Sequence, residues 1–156
     1  MGKGDASILD GDDESDVLWT LLELCGFDVE GYERIVEDDN FFDNDDIPDL
    51  VPTRENLNAQ LLDPHSELNN LLSRCEIGYL DFLILGVLIL KTGAVLPPEL
   101  KAKILKTAAW ETEEWRWKGL PLLFKEQRKK TLKDLRSRIK NHVDGKVSAS
   151  GSDFWT

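Results

Sequence analysis

From Phe82 to Leu90 the chain has nine consecutive residues without a polar side chain, the longest such run in its sequence. A helix of that composition has no face to offer water, so the remaining segments must pack around it. A central helix is favoured over a buried strand for three reasons. Leu outnumbers Val and Ile in the run; Asp81 sits where a first-turn carboxylate meets the positive end of a helix dipole; and Lys91, Thr92 and Gly93 supply a cation and then a C′ glycine. The run is far below the roughly 20 residues that cross a bilayer. It predicts a buried helix near residues 78–92 and no membrane span.

The other apolar positions repeat at helical spacing. Asp12 or Asp13 can cap a helix with Glu14 and Asp16 in its first turn, and Val17, Leu18, Leu21, Leu22, Leu24 and Cys25 continue it until Gly26. Residues 31–36 predict a short helix with Tyr32 and Ile35 inward. Thr53 caps a helix over 54–62, and Asp63-Pro64 predicts the start of another with Leu68, Leu71 and Leu72 buried. Pro97-Pro98 opens a helix that turns Leu100, Ile104, Leu105 and Ala108 inward. Trp110, Trp115 and Trp117, with Glu111, Glu113 and Glu114 among them, read as indoles closing the edge of a core. The longest helix is expected over 120–143. Leu120, Phe124, Leu132, Leu135, Ile139 and Val143 mark its apolar face, and Lys125, Arg128, Lys129, Lys130, Lys133, Arg136, Arg138 and Lys140 fill the rest.

The expected fold is therefore all-α, a single-domain bundle of about six helices around the central one. Residues 1–145 form the domain, with an acidic loop at 37–52 inside it. Residues 146–156, small and polar until Phe154-Trp155, read as a flexible tail ending in an aromatic plug.

Charge divides the chain. Residues 1–90 carry 22 acidic against 4 basic side chains and residues 91–156 carry 8 against 15, within a net charge of −11. Either the halves attract each other or each faces a different partner. An acidic field disfavours nucleic-acid binding by the whole chain. Cys25 and Cys75 stand in apolar helical contexts without partners at metal spacing, the usage of a reduced, cytoplasmic protein whose thiols pack. No apolar leader follows Met1, so no secretory signal is expected.

Chemistry-bearing motifs are missing from the pattern. Asp10, Asp12 and Glu14 resemble a calcium loop only until Ser15 replaces the required glycine and Leu21 the closing glutamate. His65 lies in a predicted first turn, the usual place of a surface histidine, and no zinc spacing, phosphate loop or nucleophile–histidine arrangement occurs. The expectation is a protein that is not an enzyme, with no catalytic residue, no cofactor, no metal and no small-molecule substrate implied. The most acidic tract, 37–46, is interrupted by Phe41-Phe42, which either anchor the loop to the core or form the centre of a patch ringed by carboxylates.

Asp12-Asp13 with Asp16-Val17-Leu18, then Leu85, Gly86, Val87 and Leu88 leading to Lys91-Thr92-Gly93, then Leu96, Ile104-Leu105, Trp115 and the basic helix from Arg128 to Ile139, form a recognisable succession. In these residues the chain resembles a family of small, mostly bacterial, helical domains of uncharacterised function. Some relatives of that family occur beside polymorphic-toxin systems as candidate immunity proteins. The resemblance implies a helical binding module and brings no catalytic residues.

The function expected is an immunity-like, non-enzymatic module that inhibits a basic partner protein such as a nuclease toxin. Asp38, Asp39, Phe41, Phe42, Asp43, Asp45 and Asp46 are its partner-binding residues, the phenylalanines as anchors and the acids as steering charges. Three alternatives stand beside it. One is an adaptor that meets nucleic acid or anionic membrane through the basic helix. The others are a carboxylate- or metal-dependent enzyme, and a scaffold that self-associates head to tail.

Overall fold

The computed structural model describes residues 8–9, 11–28, 51–150 and 153–154. Seven α-helices and no strand occur among them: α1 (Asp12–Leu24), α2 (Arg54–Leu62), α3 (Glu67–Ser73), α4 (Leu80–Thr92), α5 (Pro98–Thr107), α6 (Trp110–Glu113) and α7 (Leu122–Lys140). A 3-10 turn, Glu114–Trp117, separates the last two. The acidic tract, the expected helix at 31–36 and the seven expected partner-binding residues lie outside the described residues.

Helix α4 is the centre, as its composition requires. Phe82 to Leu90 are all buried, and α1, α5 and α7 pack against the helix. Gly86 lets α5 approach: a Cβ there would stand 3.1 Å from Ile104 Cγ2. The α1 cap differs from expectation. Gly11 takes that position at φ 125°, leaving Asp12, Asp13 and Glu14 in the first turn, because the Glu14 side chain folds back over Gly11 and would lie 2.9 Å from a Cβ. Thr53 caps α2 as expected, its hydroxyl accepting from Asn56 N. The next helix starts later than Asp63-Pro64 implies. Ser66 caps α3, its hydroxyl accepting from Asn69 N and donating to Gln60 O, while Asp63 only closes a turn with His65 N.

The C-terminal end of α4 is the point where the rest of the chain converges. The last carbonyls of a helix have no partners within it, and here other segments supply them. Gly93, left-handed at φ 76°, donates to Ile89 O; Arg54 Nε donates to Thr92 O at 2.6 Å; and Ser148 and Ala149 donate to Leu90 O. His142 Nε2 lies 2.8 Å from Ala94 O. A carbonyl only accepts, so Nε2 is the donor in this contact.

Residues 146–150 are therefore not a free tail. Arg138 holds this region from α7: its Nη1 donates to Ser148 O and to Asp153 Oδ2, and its guanidinium lies 5.2 Å from the centre of the Phe154 ring. Phe154 is buried at φ 70°, and its carbonyl accepts from Leu9 N, so it plugs the core as its sequence position suggested. Hydrogen bonding to Arg138 also holds the Asp153 carboxyl below the usual carboxylate range.

Candidate functional site

Two charged features bear on function: a buried ion cluster and the exposed charges around it. The cluster joins α1, α6, the 3-10 turn and α7. Arg128, fully buried, grips Glu113 through both arms of its guanidinium: Nε donates to Oε2 at 2.7 Å and Nη2 donates to Oε1. Arg116 adds Nη1 to Glu113 Oε1 at 3.1 Å and reaches Glu14 Oε1 at 3.8 Å with Nη2. Trp117, 2% exposed, lies beneath the Arg128 guanidinium with its ring centre 5.4 Å away.

Each buried carboxylate faces a guanidinium, so desolvation is offset by matched charge and directional hydrogen bonds. The cluster fixes the α6–3-10 turn region against α7 and ties the N-terminus of α1 to it.

Arg128 was expected among the cations that fill the polar side of the last helix, and it is instead fully buried. A signal was present. The apolar stripe 124, 132, 135, 139 takes one step of eight, and Arg128 sits at its midpoint, four residues from each neighbour. Glu113 carries a similar signal, three residues after Trp110 and four before Trp117 on one helical face. Of the three indoles expected to close the core, Trp117 does so and Trp110 is half-buried, but Trp115 is 65% exposed.

Outside the cluster, two cations of α7 pair with acids close by. Lys129 pairs with Glu126, and Arg138 with Asp134 and Asp153. The Arg116–Glu14 contact links the halves of the chain and uses a buried carboxylate. In the first half, Asp13, Asp16, Glu23, Glu55, Glu67 and Glu76 are exposed.

The thiols pack, as expected. Burial pushes Cys25 up to about 11; burial and then the neighbouring Asp81 do the same to Cys75. Neither is a ready thiolate. His65 is exposed, also as expected. Among the described residues no three His, Cys, Asp or Glu side chains gather as a metal cage, and no helix is long and apolar enough to cross a membrane. Compared with protein-family models, curated proteins and solved structures, the chain finds no match.

Proposed function

We propose that the chain is a non-enzymatic, immunity-like protein-binding module whose acidic first half docks on a basic partner such as a nuclease toxin. The observation supporting this reading is the pairing of α7. Arg128, Lys129 and Arg138 pair with Glu113, Glu126, Asp134 and Asp153, all from the second half of the chain. First-half carboxylates exposed on α1, α2 and α3 thus contribute to a negative field that steers a cationic partner. The family resemblance points the same way. The ordered helical scaffold would hold the tract containing Asp38, Asp39, Phe41, Phe42, Asp43, Asp45 and Asp46 as the contact surface.

The test begins with capture of the partner by affinity purification from the native cell, followed by association kinetics over a range of salt. Replacing Asp43, Asp45 and Asp46 together by Asn is expected to slow association by roughly tenfold at low salt, to flatten its salt dependence and to leave dissociation nearly unchanged. An association rate and salt slope equal to those of the parent protein would place the contact elsewhere.

A further inference from the structure

One line of α7 is electrostatically unbalanced. Lys129, Lys133, Arg136 and Lys140 recur at steps of four, three and four, so they lie along one side of the helix over about 16 Å. All four line a groove of about 380 Å3 that also takes in Trp110 from α6. Leu132 and Ala108 supply apolar lining, and Glu111 is the one acid among the lining residues. Lys129 is shared between Glu126 and the Trp110 ring, with Nζ 5.1 Å from the ring centre. Lys133, Arg136 and Lys140 have no carboxylate within 4.0 Å among the described residues. Arg136 in addition buries its Nε without an acceptor.

Like charges at i,i+3 and i,i+4 repel. Successive members stand about 5–6 Å apart at Cβ, inside one Debye length at physiological salt, so screening relieves neighbouring pairs only in part. An anion in the groove would relieve the repulsion between these four cations. Its volume lies at the small end of the range for small-molecule sites, and guanidinium with ammonium groups is the donor set that suits phosphate oxygens.

We propose that this groove binds a small polyphosphate anion, at a site separate from the proposed acidic docking surface and independent of it. Two sources share that chemistry: a bare inorganic polyphosphate, and a nucleoside triphosphate whose ring lies against Trp110.

Calorimetry of the full chain with inorganic tripolyphosphate and with ATP, without metal, tests the proposal. One-to-one binding with a Kd below about 1 mM is expected for at least one of them. Lys133→Glu with Lys140→Glu should weaken it by at least about tenfold. Lys118→Glu with Lys130→Glu makes the same change in net charge at exposed positions outside the groove and should change it less than about threefold. Circular dichroism establishes that both variants fold. Equal affinity for the two anions assigns the bare chain; tighter ATP binding, with the difference lost in Trp110→Leu, assigns the nucleotide. Equal weakening by both charge pairs would overturn the proposal, as would binding of a thymidine oligomer with neither small anion bound, or no binding at all.

Discussion

Replacing Arg128 by Met should lower folding stability by about 3–5 kcal/mol, because it leaves the buried Glu113 carboxylate without its bidentate partner. Arg116 reaches only one oxygen of Glu113 and also faces Glu14, so it cannot replace the lost guanidinium. Denaturant unfolding measures the effect as a large fall in midpoint. The double variant Glu113→Leu, Arg128→Met removes both charges and should recover most of the loss, since a buried ion pair contributes little net stability over apolar residues of similar size. An unchanged midpoint in the single variant would mean that the cluster is not closed in solution.

Valine at Gly93 should cost roughly 2–4 kcal/mol, combining left-handed strain for a β-branched residue with crowding. A Cβ at this position would come within 2.8 Å of Arg54 Nη2, which can move. It would also come within 3.1 Å of the backbone carbonyl carbons of Gly145 and Lys146, a segment held by Gly145 N donating to Gly93 O and Ser148 N donating to Leu90 O. Gly119 provides the comparison: it is also left-handed, at φ 81°, but has nothing within 4 Å of the Cβ position. Gly119→Val should show the backbone strain alone. Thermal unfolding of the two variants separates the contributions, and equal losses would show that the tail segment is not seated on Gly93.

These two sites also show what the sequence could and could not disclose. Helix α4 was legible because a run with no polar side chain has few ways to fold, and its left-handed glycine stop follows from the same residues. The start of α3 was not, since Asp63-Pro64 and Ser66 are both good helix-start signals. The choice went to Ser66, whose hydroxyl also satisfies the Gln60 carbonyl at the end of α2.

Residues 146–150 looked unstructured because their attachment runs through backbone N–H groups and the side chain of Arg138, neither of which alters local hydropathy. Arg128 was hidden among similar cations, and only its register against Leu132, Leu135 and Ile139 distinguishes it. The groove was missed for a related reason. Its four cations are legible on α7, but Trp110 joins them only through the packing of α6 against α7. The expected docking residues, Asp38 to Asp46, lie outside the described residues.

Zero-length carboxyl-to-amine cross-linking of the protein with its captured partner, read by mass spectrometry, is the most direct test of whether the acidic first half is kept for another molecule. Links from Asp38, Asp39, Asp43, Asp45 and Asp46 to lysines of the partner are expected. Links from those acids to Lys129, Lys133 or Lys140 of the same chain, persisting when the partner is present, would contradict that role.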